Sequence, residues 1–107
     1  MDPLTETPKR YDLQDIFEAL LNSEYVYFQP PESVKLSYPC IIYKRDKLEA
    51  THANNMTYTH LTRYQVTVID KDPDSELPKS VLELPLCNHV QNFITDGLNH
   101  DVFELYY

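Results

Sequence analysis

Arg63-Tyr64-Gln65-Val66-Thr67-Val68-Ile69-Asp70 is the stretch on which the fold turns. β-Branched and aromatic residues dominate it, the composition of a residue run that packs on a pleated, half-buried surface. The strand it predicts is long, from Tyr58 through Asp70. Upstream, Tyr38-Pro39-Cys40-Ile41-Ile42-Tyr43-Lys44 has the same character, with Pro39 acceptable near a strand start, and is expected to run to Glu49. Between the two, Thr51 to Thr57 carries Asn54-Asn55 and no apolar periodicity, which reads as a loop of middling length. The two strands are therefore expected to form an antiparallel hairpin.

Outward from that hairpin, Leu13, Ile16, Phe17, Leu20 and Leu21 follow the i, i+3, i+4, i+7, i+8 spacing of a helix with one apolar stripe. Asp12 can cap its first amides and Asn22-Ser23 is a suitable exit. Tyr25-Val26-Tyr27-Phe28 reads as a short strand stopped by Pro30-Pro31. After an acidic turn, Ser75 or Asp74 is expected to cap a shorter helix bearing Leu77, Val81, Leu82 and Leu84, which Pro85 ends. Leu86 to Thr95 and Leu98 to Tyr107 are strand-like, and Asp96-Gly97 between them suits the positive φ angles of a type I′ turn. Phe103, Leu105 and Tyr107 alternate with Val102, Glu104 and Tyr106, so one face of the last strand is wholly apolar. The sum is an α+β domain: a mostly antiparallel four- to five-stranded sheet with two helices packed on one face. Residues 1–10, with Pro3 and Pro8 among polar neighbours, read as a flexible N-terminal arm, and residues 11–107 as a single domain.

The 107 residues suffice for one core. Nine Lys and Arg against seventeen Asp and Glu give a net charge of −8, which disfavours attraction to nucleic-acid phosphates over most of the surface. The longest strongly apolar run, Pro39 to Tyr43, is far below the ~20 residues that span a bilayer, and Met1 to Arg10 has no signal-peptide character. No membrane partner and a cytosolic or lysis-released product are expected. The single glycine, Gly97, leaves neither a Walker loop nor a dinucleotide fingerprint to be written, so no nucleotide cofactor is expected.

Chemistry-bearing residues form no complete pattern. Asp70, Asp72 and Asp74 have the spacing that opens a calcium loop, but Ser75 stands where glycine is needed and Val81 where a bidentate Glu belongs, so a solvated turn is the better reading. His52, His60, His89 and His100 with Cys40 and Cys87 lack zinc-ligand spacing, and no metal is expected. Cys40 with His60, across the hairpin, is the single nucleophile–base pairing to consider, and nothing near Cys40 lowers its pKa; a buried core thiol fits better, and no disulfide is expected. The chain reads as a non-enzyme.

Tyrosine stands out, with nine against four Phe and no Trp. It offers broad contact area with a hydroxyl for a wet rim, and is as much at home in a sheet. Tyr58, Tyr64, Tyr106 and Tyr107 are the candidates for an interface.

Taken together, Tyr38 to Arg45, Arg63 to Asp70 and the closing His100-Asp101-Val102-Phe103-Glu104-Leu105-Tyr106-Tyr107 resemble the small tail completion proteins of tailed bacteriophages, the tail terminators, sometimes labelled minor capsid proteins. The likeness covers Tyr11 to the end and is one of pattern and order, with Gln29 to Ser37 longer than the minimal family pattern. It implies a structural virion protein of the tail or neck, assembled in the host bacterial cytoplasm. Such a protein forms a ring with copies of itself, a hexamer in that family. The ring caps the tail tube through the tube protein and offers its other face to the head connector for head–tail joining. DNA would pass through without specific binding, and acidic residues are expected to line the lumen. Interfaces, not an active site, then carry the work, and strand edges are natural docking surfaces. Tyr25 and Tyr27 on the first strand and the long hairpin supply the candidate edges. Lys44, Arg45, Lys47, His52, Asn54, Asn55, Tyr58, His60, Arg63 and Tyr64 lie along the hairpin arm, expected to order on contact with tube or connector. The rival reading is an acidic inhibitor that mimics nucleic acid and binds a host enzyme; scattered carboxylates interrupted by Lys44, Arg45 and Lys47 argue against it.

Overall fold

The Arg63–Asp70 stretch forms the centre of a five-stranded mixed sheet, and its alternation divides the molecule into two faces. The structure, a computed structural model, describes residues 9–107 apart from the side chains of residues 57–59. The elements run α1 (Lys9–Leu21), β1 (Val26–Phe28), β2 (Cys40–Ala53), β3 (Met56–Asp70), α2 (Leu77–Leu82), β4 (Cys87–Thr95) and β5 (Leu98–Tyr106). The sheet order is β1-β2-β3-β5-β4, with β1 parallel to β2 and every other neighbour antiparallel. This is the α+β architecture that the sequence pattern predicts.

On the helix face, Tyr64, Val66 and Val68 of β3 sit between Tyr43 and Ile41 of β2 and Phe103 and Leu105 of β5. Leu13 and Phe17, one turn apart on α1, and Val81 of α2 close this layer into a single core. The period-2 and period-3.6 patterns thus meet on one surface, and burying it supplies the main folding drive. Three rings surround Tyr43: Phe28 at 5.0 Å, Phe17 at 5.1 Å and Tyr64 at 5.9 Å between centroids. On the opposite face Cys40, Ile69 and Val102 are also buried. Residues 29–39 run past that face, placing Val34, Leu36 and Ile42 around one shallow cleft, and include a cis Tyr38–Pro39 peptide.

Local chemistry explains the element ends. At the end of α1, Asn22 adopts φ 56°, its amide reaches the Ala19 carbonyl and the Ser23 amide reaches that of Glu18. This is the Schellman arrangement, with Asn in the left-handed position usually held by glycine. The helix starts at Lys9 rather than at Asp12, so Lys9 and Arg10 of the expected arm are helical, and residues 1–8 lie outside the described residues. The cap of α2 also differs from expectation. Its N-cap is Glu76, without a side-chain cap bond, while Ser75 Oγ accepts from the Leu77 amide at 3.2 Å and Pro78 occupies the first turn.

Two tight turns set the hairpins. Asp96 (φ 53°) and Gly97 (φ 73°) join β4 to β5 as expected, whereas Asn54 (φ 53°) and Asn55 (φ 64°) replace the expected loop over Thr51 to Thr57. Strand β2 runs past Glu49 to Ala53, which pairs with Met56. Asn tolerates the left-handed region better than other side-chain-bearing residues, so two asparagines make a two-residue reversal. At Gly97 a Cβ would meet nothing within 4 Å, so Gly97→Ala should lose only the conformational term, roughly 1–2 kcal/mol. Urea titration checks this: a loss well above that range would reveal a steric conflict, and none would show that the turn relaxes freely.

The edge strands are β1 and β4. The long hairpin, expected to offer an edge, lies inside the sheet over Arg63–Asp70, where β5 covers β3. Beyond Thr62, whose carbonyl accepts from the Tyr107 amide at 3.1 Å, the backbones of its two strands pair with each other, and they project as an arm that contributes to a long dimension of 51 Å against 28 and 26 Å.

Candidate interaction surface

The arm emerges from the sheet at a clamp. Register shifts between Arg45 and Lys47, and the Arg63 guanidinium spans the irregularity to Asp46, with Nε and Nη2 at 3.0 and 3.4 Å from its two carboxylate oxygens. Such bidentate pairing fixes orientation as well as energy, and it holds the Arg63 pKa above its usual value. On the neighbouring strand the Tyr106 hydroxyl donates to Glu49 at 3.3 Å, and Lys47, 3.0 Å away, lowers the Glu49 pKa. Past these contacts Leu48, Met56 and Leu61 are 62, 71 and 42% exposed.

At the base of the arm, the N-terminus of α1 and strands β2 and β3 enclose a cleft of about 540 Å³. Among the described residues, Arg10, Arg45, Lys9 and His60 line it together with Tyr64 and Tyr107, and no Asp or Glu side chain does. Arg10 lies over the Phe28 ring at 4.0 Å and donates to the Tyr43 hydroxyl at 3.2 Å; Lys9 sits over the Tyr107 ring at 5.1 Å. Cations held against aromatic faces keep their charge toward solvent. Among the described residues none of Lys9, Arg10 and Arg45 forms an ion pair.

The structure thus brings Arg45, His60, Tyr64 and Tyr107 together, and adds Lys9 and Arg10, which sequence reasoning left in an arm. Their position in the first helical turn was hidden because the apolar stripe begins only at Leu13. Tyr64, expected at an interface, is 7% exposed and chiefly a core residue. Lys44, Lys47 and His52 are exposed along β2, with Asn54 and Asn55 at the tip. The side chain of Tyr58 lies outside the described residues. Tyr25 is exposed at the far end of the sheet, and Tyr27 on β1 accepts the Ser37 amide at 3.4 Å.

Cys40 and His60 do not meet. Cys40 pairs with Ile69 and His60 with Ala50, ten residues along β2, or ~33 Å at strand rise. Both cysteines are free, and burial pushes the Cys40 thiol up to about 12 and Cys87 to about 11. The folded state therefore favours the protonated thiols. Below an unfolded value near 9 both states hold these protons; between 9 and about 12 the unfolded chain releases them first. Stability should fall with rising pH across that window, and urea titrations at pH 8 and 10.5 on wild type and Cys40→Ala should show a smaller alkaline loss in the variant. An identical loss would exclude Cys40 as a contributor.

Asp70 and Asp72 each accept the backbone amide two residues on, at 3.0 and 2.9 Å, which makes the D-x-D-x-D run a pair of Asx turns. Among the described residues no three His, Cys, Asp or Glu side chains converge as a metal site, and no helix is long and apolar enough to cross a membrane. One His–carboxylate pair escaped sequence reasoning: His89 Nε2 lies 3.0 Å from Asp101 Oδ1, which also accepts from Asn92 Nδ2 at 3.1 Å. A bulge between His89 and Gln91 creates that juxtaposition, and no hydroxyl or thiol is hydrogen-bonded to His89 among the described residues.

No protein-family model matches the chain, and no curated protein sequence matches it.

Proposed function

We propose that this chain is a structural assembly protein, a tail terminator that joins copies of itself into a ring, caps the tail tube and gives the head connector its docking face. The observation that carries this reading is the β2–β3 arm. Beyond Thr62 its backbone pairs strand to strand, it exposes Leu48, Met56 and Leu61, and among the described residues it adds no side chain to the buried core cluster. A two-stranded ribbon in water is marginal without a packing partner, so an arm of this length is best accounted for by a neighbouring subunit or ring. A mostly antiparallel sheet with two helices is of the α+β class that the resemblance implies. A terminator must bind the last tube ring with one face and offer no equivalent face above it, a task for asymmetric surfaces rather than for chemistry.

Electron microscopy of particles assembled with and without the chain tests the proposal. Overlong tubes or unjoined heads in its absence, and rings of the purified protein alone or on tube ends, are expected. Complete, infectious particles lacking the chain would end the reading. A tight one-to-one complex with a host enzyme and no ring would replace it with the acidic-inhibitor alternative.

A further inference from the structure

A cationic cleft and an acidic turn lie at opposite ends of the sheet. Strands β2 and β5 run toward the arm and β3 runs away from it, while α1 begins at the arm end, where Lys9 meets Tyr107. The cleft with Lys9, Arg10 and Arg45, lined by no Asp or Glu side chain among the described residues, therefore lies at the arm end. Asp70, Asp72, Asp74 and Glu76 follow the last residue of β3 at the opposite end, where Asp96 caps the β4–β5 turn. Asp70 is six residues along β3 from Tyr64, the partner of Arg45, or ~20 Å away. Residues 70–76 carry four carboxylates against one lysine, Lys71, and a cationic cleft in a chain of net charge −8 is a local exception. The Asx turns hold the acidic segment in a fixed shape, with Asp72 and Asp74 exposed.

We propose that the cleft receives the acidic turn, residues 70–76, of a second copy of this chain. The contact is heterologous, using different surfaces on the two partners, and heterologous contacts close into rings when the rotation allows. This inference rests on the ring reading above and names the surfaces that meet. Arg45 presents the exposed cation, and Arg10, fixed by Phe28 and Tyr43, presents a preorganised one. Complementary ends give the contact its direction, since cleft against cleft or turn against turn places like charges together.

The test measures oligomeric state by light scattering after size exclusion, with negative-stain microscopy, on the full chain. Arg45→Glu and, separately, Asp72→Lys/Asp74→Lys should each raise the concentration needed for ring formation by roughly tenfold or more. Combining Arg45→Glu with Asp72→Lys/Asp74→Lys in one chain returns an opposite-charge pairing at position 45, while Lys9 and Arg10 stay cationic, and should recover part of the ring formation lost in the single-end variants. Circular dichroism confirms that each variant folds; Arg10 is left unchanged because it also supports Tyr43. Rings of the wild type should weaken between 0.1 and 1 M NaCl, as screening shortens from about 10 to 3 Å. If the single-end variants assemble like wild type, the docking assignment is overturned while the terminator reading stands. If a fluorescent single-stranded oligonucleotide or inorganic phosphate binds the cleft and Asp72→Lys/Asp74→Lys leaves assembly unchanged, the cleft is a phosphate site and the proposal is wrong. A wild type that never self-associates, alone or on tube ends, overturns both.

Discussion

Tyr43→Ala lowers the stability of the folded chain by about 3–5 kcal/mol, the range for truncating a large buried aromatic side chain. Tyr43 is fully buried, and its ring sits in the cluster with Phe17, Phe28 and Tyr64 that joins α1, β1, β2 and β3. Its hydroxyl donates to Gln14 Oε1 at 2.5 Å while accepting from Arg10, and the Gln14 amide in turn donates to the Val26 carbonyl at 3.1 Å. Truncation opens a cavity and leaves the Gln14 carbonyl oxygen without this donor. A domain of this size has a total of about 5–15 kcal/mol, so the variant approaches the unfolding threshold. Tyr43→Phe keeps the ring and removes the hydroxyl alone, an expected loss of about 1–2 kcal/mol. Urea denaturation with an unchanged m-value separates the two. Equal losses would mean that the hydroxyl network, and not the aromatic packing, holds α1 to the sheet.

Under the proposed terminator function, replacing residues 51–59 by Asn-Gly is expected to abolish tube capping while leaving the domain folded. Ala50 and His60 are register partners, so a two-residue type I′ turn can close the shortened hairpin directly. Among its described side chains the deleted part contributes no core residue, and the Arg63–Asp46 clamp and the Glu49–Tyr106 contact are kept. Stability is therefore expected to stay within about 1 kcal/mol of the full chain, the scale of surface changes. The readout is the length distribution of tails assembled with the variant, beside its denaturation curve. Tails of normal length would remove the arm from the capping role; an unfolded variant would show that the arm supports its own domain.

Where sequence reasoning and structure part, the reason is the absence of a buried face. Leu48, residues 50–53 and Met56 of the arm are exposed, so no alternation marks them, and polar residues around Asn54-Asn55 look like a loop although the backbone pairs to the tip. The first turn of α1 was missed for the same cause: Lys9 and Arg10 contribute charge to a cleft and no apolar residue to the stripe. By contrast, α1 from Leu13, the Asp96-Gly97 turn and the apolar face of β5 were legible because each depends on residues within one turn or one strand of each other.

The sequence by itself thus determined the helix stripe, the strand character of Tyr38–Lys44 and Arg63–Asp70, the C-terminal hairpin and the absence of a glycine-rich phosphate loop, since these rest on local backbone preference and periodicity. Only the tertiary structure decided that β1 runs parallel to β2, that β5 pairs with β3 and leaves β4 at the edge, and that Lys9, Arg10, Arg45 and His60 share one cleft. Those outcomes depend on contacts between residues tens of positions apart, whose pairing is chosen by how the whole apolar surface is covered, and no window of local sequence contains that information.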